Sequence, residues 1–239
     1  MTLETVKTLA DWIQAASSTV VLTGAGISTE SGVPDFRSKS GWWRNVDPAT
    51  VATADALQHN YPLFHAFYRA RIEALKGLSP NVGHQILAKW EAAGRVDAIA
   101  TQNVDGFHQM AGSRRVYELH GSIRSARCSN CGASASVEDF VAQRSCPHCG
   151  GRLRPNVVLF DETLPQDAWQ GALEAIARAD LVLVVGTSLN VSPANTLPAL
   201  TRGKTAVINL EPTRMDEAFD LVIHGKAGEV LAAVDGRMG

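Results

Sequence analysis

The chain has 239 residues, which at ~150 residues per domain allows one large domain or one domain with a sizeable insert. Apolar residues make up 45% and charged residues 19%, as in a globular protein with a real core, and 22 basic against 24 acidic residues leave a net charge of −2. That balance excludes a body that is basic throughout and binds nucleic acid by charge alone, and equally an acidic disordered chain.

Taken in order, the elements alternate in type. Residues Met1 to Lys7 carry an acid and lack the basic start and apolar run of a signal peptide, and the most apolar stretch, Leu181 to Val185, is far short of the ~20 residues that span a bilayer. A cytoplasmic protein without a membrane partner is the expectation. Leu3 to Ala16 repeats Val6, Leu9, Ala10 and Ile13 at helical spacing. Thr19 to Leu22 is a short β-branched run that stops at Gly24 and predicts a buried strand. Further strands are predicted at 98–100, 181–185 and 206–208, with helices at 62–75, 84–93 and 165–179. Apolar strands alternating with amphipathic helices imply a doubly wound parallel α/β sheet covered on both faces.

Two segments break the pattern. Arg37 to Asn60, with Gly41, Trp42, Trp43 and Pro48, reads as a long loop before a helix, a length that in compact domains marks function. Ser122 to Leu153 has Phe140 as its one aromatic residue and contains all four cysteines, so it reads as a small inserted module that needs a staple. Cys128-x-x-Cys131 and Cys146-x-x-Cys149 are two knuckles with 14 residues between them. Four thiolates favour one tetrahedral Zn²⁺ with no open position for water, hence a structural ion in a reducing compartment. His148 lies inside the second knuckle, but the four cysteines complete the shell.

The turn after the first strand, Gly24-Ala25-Gly26-Ile27-Ser28-Thr29, resembles a dinucleotide-binding fingerprint in which Gly24 makes the turn and Gly26 admits a pyrophosphate. Thr29 replaces the third glycine, and the nearest acid ~20 residues on, Asp47, falls in the loop, which disfavours an ordinary dehydrogenase. Other short motifs recur along the chain: Gly32-Val33-Pro34-Asp35-Phe36-Arg37 follows this turn, Thr101-Gln102-Asn103-Val104-Asp105 the second strand, Gly186-Thr187-Ser188 the strand at 181–185 and Asn209-Leu210-Glu211 that at 206–208, while Leu119-His120-Gly121 precedes the cysteine module. In an open α/β sheet such positions line the ligand crevice.

This combination, spread from about Val20 to Ala227, resembles the sirtuin family of NAD-dependent protein-lysine deacylases. The resemblance implies a Rossmann-like NAD domain over residues 1–36, 77–121 and 154–239, a cofactor loop and helical insert over 37–76, and a zinc module over 122–153. It implies that His120 is the general base, that Asn103 and Asp105 are catalytic and hold nicotinamide and its ribose, and that Gln102 contacts the same ribose. Gly24, Ala25, Gly26, Thr29, Gly186, Thr187, Ser188, Asn209, Leu210 and Glu211 would bind the diphosphate and adenosine, with Ala227 near the adenine. Asp35, Phe36, Arg37 and Trp43 would belong to the cofactor loop, Phe36 covering the cleaved nicotinamide. NAD would be consumed as a co-substrate: the acyl group of a modified lysine moves to the ribose, and nicotinamide and O-acyl-ADP-ribose are released.

Tyr68 and Arg71 stand at i, i+3 on one helix face and can meet one ligand, the guanidinium pairing with a carboxylate. Tyr-x-x-Arg, with the small Ala52, resembles the sirtuins that remove succinyl and malonyl groups, whereas Pro34-Asp35-Phe36 is typical of deacetylases. Both acyl types are therefore expected. Acyl-lysine proteins are expected to bind as an added strand between Asn156 to Phe160 (Val157, Val158 and Phe160 in contact) and Leu189 to Val191, with Asn190 in contact. Asp161 stands where many relatives have glycine. Two rivals are an acetyl-only enzyme and a protein ADP-ribosyltransferase on the same fold. A third, nucleic-acid binding, is disfavoured: residues 114–154 hold seven Arg against three acids, a local +4, but two aromatics, Tyr117 and Phe140, give bases little to stack on.

Overall fold

The computed structural model describes residues 1–35 and 46–238. α1 (Leu3–Ala15) and β1 (Thr19–Thr23) are followed by α2 (Pro48–Val51), α3 (Ala54–His59), α4 (Tyr61–Ala74) and α5 (Val82–Ala92). Then come β2 (Ala98–Thr101), α6 (Phe107–Ala111), β3 (Val116–Glu118), β4 (Gly121–Cys128), β5 (Ser134–Ala135), α7 (Val137–Val141) and β6 (Leu153–Val157). The chain closes with α8 (Gln166–Arg178), β7 (Leu181–Val185), β8 (Lys204–Asn209), β9 (Leu221–His224) and α9 (Ala227–Met238).

Six strands form one sheet in the order β3-β2-β1-β7-β8-β9, and every pairing in it is parallel. β1 and β7 are buried along their whole length, and their alternate residues feed opposite cores. Val21, Leu183 and Val185 pack with α1, α5 and α9, while Val20, Leu22, Val182 and Val184 pack with Ala172 and Ile176 of α8. A period of two with apolar residues on both faces requires cover on both faces, which is the doubly wound arrangement the sequence predicts. β3, β9 and α9 were not among the expected elements. β3 and β9 are short edge strands with half-buried patterns, so they lack the continuous apolar run that marks β1 and β7.

A second, antiparallel sheet (β5-β4-β6) carries the cysteines, with a register shift in β4 between Ser122 and Ala126. Two corrections arise here. Part of the expected loop at 37–60 is helical: Thr53 Oγ1 accepts the Ala56 N–H at 3.0 Å and caps α3. β6 ends at Val157, so the expected strand through Phe160 stops early. Beyond it Val158 N–H donates to the His120 carbonyl (2.9 Å) and Phe160 N–H to that of Ala52 (2.8 Å).

The helices of the insert and the cysteine-bearing sheet share one core, in which Tyr61, Phe64 and Tyr68 of α4 meet Ile123, Leu153 and Phe140. Tyr61 Oη donates to the Leu153 carbonyl at 2.8 Å, and His65 Nε2 lies 2.7 Å from the Phe140 carbonyl, which fixes the proton on that nitrogen.

Below this core the Arg154 guanidinium, 3% exposed, binds Glu162 Oε1 and Oε2 at 2.5 and 2.9 Å and the Val157 carbonyl at 2.7 Å. Burial alone would raise the Glu162 carboxyl, but Arg154 and the Leu159 N–H hold it below the usual carboxylate value. Its contribution to stability is therefore full above the ordinary pKa and is lost as pH falls through the lower folded value. Glu162→Gln is expected to cost about 2–3 kcal/mol at pH 7, since Glu162 is only partly exposed. Urea titrations of the two proteins should differ at pH 7 and converge on acidification, once the pH has fallen below the lowered carboxyl value of Glu162.

Candidate active site

The crevice starts where the sheet reverses its winding, between β1 and β7. Gly26 N–H donates to the Gly186 carbonyl at 2.7 Å, and a Cβ at Gly26 would lie 2.7 Å from Gly186 Cα. Gly186 itself has φ +63°, the left-handed region that favours glycine. The sequence reading gave Gly26 to a pyrophosphate; the structure shows that its missing side chain is first needed so that the two turns can touch. Ala25–Ser31 continues as a 3₁₀ helix, and Thr29 Oγ1 donates to the Gly26 carbonyl at 2.8 Å in place of a third glycine.

After β2 the chain lays Gln102, Asn103 and Asp105 along this crevice. Asn103 Nδ2 donates to the Gly24 carbonyl (3.0 Å) and to Ser28 Oγ (3.1 Å). Ser28 Oγ donates to Asp105 Oδ2 at 2.7 Å, and Asp105 Oδ1 accepts the Phe107 N–H at 3.0 Å. Arg124 of β4 donates through Nε to the Asp105 carbonyl and lies over the Phe107 ring, and Ile123 N–H bonds the Val104 carbonyl at 2.9 Å. The loop is thus held from both sheets. Ser28 and Arg124 had not been singled out from sequence: a serine after a glycine turn and one arginine in a basic stretch give no signal until the fold brings them to Asp105.

His120 follows β3. Its Nδ1 lies 3.0 Å from the Gln102 carbonyl, which can only accept, so Nδ1 carries the proton and Nε2 presents a lone pair. Burial lowers the imidazole below its ordinary 6.5, against the opposing effect of the Gln102 carbonyl, so the ring is neutral at pH 7.

Two cavities meet at this ring. One, of about 460 Å³, is walled by Gly24, Ala25, Gly26, Thr29 and Asp35 on one side and Gly186, Thr187 and Ser188 on another. Asn209, Leu210, Glu211 and Ala227 close its far end, and Gln102, Asn103 and His120 its near end. The other, of about 700 Å³, is lined by His120, Ala52, Tyr68, Arg71, Val157, Val158 and Phe160. A recess of about 30 Å³ holds Asp105 with Asn103, Ser28 and Arg71. Asn190, expected on the substrate side, lines the smaller of the two cavities that meet at His120, and its neighbour Val191 lines both; Leu189 before them is buried with φ +54°. Asp161 has φ +75°, a conformation that glycine adopts freely and aspartate tolerates. Phe36, Arg37 and Trp43 lie outside the described residues.

The four cysteine sulfurs lie within 4.8 Å of one another. Cys128 Sγ and Cys149 Sγ are 3.5 Å apart and Cys131 Sγ and Cys146 Sγ 3.7 Å. A ZnS₄ tetrahedron with bonds of ~2.3 Å has edges of roughly 3.8 Å, whereas a disulfide is about 2 Å. The donor set fits one structural zinc ion.

The Sir2 family profile matches residues 24–193. The chain is 52% identical over 229 residues to NAD-dependent protein deacetylase 1 of Geobacillus kaustophilus, covering 94% of this chain and 95% of that one. It is 44% identical over 228 residues to NAD-dependent protein deacylase 2 of Pyrobaculum aerophilum, at 93% and 92% coverage. A solved Sir2 structure with a deacetylated p53 peptide and 3′-O-acetyl-ADP-ribose superposes with a TM-score of 0.93 at 36% identity, over 98% of this chain and 99% of that one. The chain belongs to the Sir2 family.

Removal of the metal by a chelator, or Cys149→Ser, is expected to lower the thermal midpoint by more than 10 °C and to expose Phe140 and Leu153. Metal analysis should give one zinc per chain; two or none, or an unchanged midpoint after its loss, contradicts a structural ion.

Proposed function

We propose that the chain removes acetyl and also succinyl or malonyl groups from lysine side chains of proteins, consuming NAD and one water and releasing nicotinamide, O-acyl-ADP-ribose and the free lysine amine. The chain is an NAD-dependent protein-lysine deacylase. The observation that carries the residue roles is the position of His120, whose free Nε2 stands where the nucleotide-sized and elongated cavities join. Bound NAD supplies an electrophilic ribose carbon with nicotinamide as its leaving group.

Asn103 and Asp105 orient that end of the dinucleotide, while the turns at Gly24 and Gly186 receive the diphosphate and Asn209 to Glu211 the adenosine. His120 takes the proton of a ribose hydroxyl on Nε2, its Nδ1–H being anchored on Gln102. The relative with both a deacetylated peptide and acetyl-ADP-ribose supports the transfer of the acyl group to ribose. The protein substrate lies extended along Val157 to Phe160, which places the modified lysine in the larger cavity. A cytoplasmic setting accords with four cysteines kept as thiolates; none of the described helices is long and apolar enough to cross a membrane.

Acyl choice rests on α4. The Arg71 guanidinium carbon lies 5.6 and 5.7 Å from the Phe67 and Tyr68 ring centroids, at the wall of the elongated cavity, where it can pair with the carboxylate of a succinyl group. Asp35 at the nucleotide side accords with acetyl turnover as well.

Two measurements test this reading. His120→Ala should lower turnover ~10²–10⁴-fold with NAD affinity retained, and the parent pH profile should fall on acidification through a value below 6.5, as the neutral base is lost. Parent-rate nicotinamide release by the variant removes His120 from its role. Arg71→Met should lower kcat/KM for succinyl-peptide at least tenfold and leave acetyl-peptide within about threefold. Equal effects on both substrates contradict the carboxylate clamp, and labelled ADP-ribose left on protein would favour the transferase instead.

A further inference from the structure

Beneath the loop that carries Asn103 and Asp105 lie two histidines that the acyl transfer does not use. His84 on α5 and His108 on α6 are fully buried, with ring centroids 4.9 Å apart. Burial pushes His84 down to about 4, against the pull of Asp105, and His108 down to about 3, so both rings are neutral.

Their hydrogen bonds decide where each proton sits. Thr23 Oγ1 donates its one proton to Thr101 Oγ1 at 2.8 Å, so its 2.9 Å contact with His108 Nε2 requires the imidazole to donate. Thr101 Oγ1 in turn accepts the Asn103 backbone N–H at 3.1 Å. On the other side Ser28 Oγ gives its proton to Asp105, so His84 Nε2, 3.4 Å away, is also the donor. Each ring is left with a lone pair on Nδ1, and neither Nδ1 has a partner among the described residues. What an apolar ring could not supply is the pair of Nε2–H donors.

We propose that His108 is a positioning residue for the acyl-transfer site. Its Nε2–H, relayed through Thr23 and Thr101, fixes the backbone of Asn103. Its ring, packed on His84, holds the imidazole that backs Ser28, and Ser28 orients the side chains of Asn103 and Asp105. Both routes therefore end on the same loop. The kinetic part of this inference rests on the deacylase reading; the hydrogen-bond relay does not.

The test uses the full-length, zinc-loaded enzyme with His108→Phe, His108→Gln and Thr23→Val. His108→Phe should lower kcat at least tenfold, with KM for acyl-peptide within threefold and no fall in thermal midpoint. His108→Gln, whose amide can donate to Thr23, should restore most of the rate. Thr23→Val, equal in shape but without the relay hydroxyl, should repeat the loss. Parent kcat in His108→Phe overturns the proposal, as does parent kcat in Thr23→Val should the first variant not fold. A loss of kcat that follows the thermal midpoint across all three variants overturns it too. Imidazole ¹⁵N spectra of the parent should show His108 protonated at Nε2; protonation at Nδ1 overturns the relay whatever the activity. If the parent enzyme does not deacylate, only the functional reading fails, and the ¹⁵N spectra decide the relay by themselves.

Discussion

The contact of Gly26 with Gly186 is the constraint on which the rest of the structure depends. Two parallel neighbours, β1 and β7, end side by side, and from there the chain winds to opposite sides of the sheet. Their turns can leave in contact only because neither carries a side chain at the point of approach. That contact opens a crevice above the sheet, and the segments after β2, β3 and β8 empty into it in turn. With any larger residue at either position the turns would separate, and the cavity wall that holds Thr187, Asn103 and His120 would lose its shape.

The second wall has a different origin. The helices of the insert and the cysteine-bearing sheet bury Tyr61, Phe64, Phe140 and Leu153 in a core of their own, separate from the two faces of the parallel sheet. The metal site closes the far end of β4, while the near end of the same strand grips Val104 and Asp105 through Ile123 and Arg124. One strand thus joins the four-cysteine cluster at one end to the loop of Asn103 and Asp105 at the other. The elongated cavity forms between these two bodies, which is why its lining mixes residues from α4, β6 and the loop after it.

Legibility differed residue by residue. The cysteine knuckles could be read because metal chemistry dictates both residue type and local spacing, and β1 and β7 because continuous apolar runs have few alternatives. His120, Asn103 and Gln102 were recognisable only through the resemblance of their short motifs to those of the sirtuins. Ser28, His84, His108 and Arg124 were not, since their partners lie 19 to 85 positions away and nothing local distinguishes them from ordinary polar residues. Asn190, placed beside the substrate by the resemblance of its segment, lines the cavity that also holds Ser188 and Asn209, a placement that no local pattern reveals.

By itself the sequence determined the class of the fold, the tetrathiolate site and the set of motifs that share the crevice. All three are written in local pattern, either a period of two or 3.6 or a fixed spacing of ligands. Only the tertiary structure decided which nitrogen of His120 is free, that two cavities meet at that ring, and that one buried hydrogen-bond network holds the Asn103 loop. Those properties depend on which donor faces which acceptor across strands and helices distant in the chain. Hydrogen-bond direction and burial are set only when those elements pack.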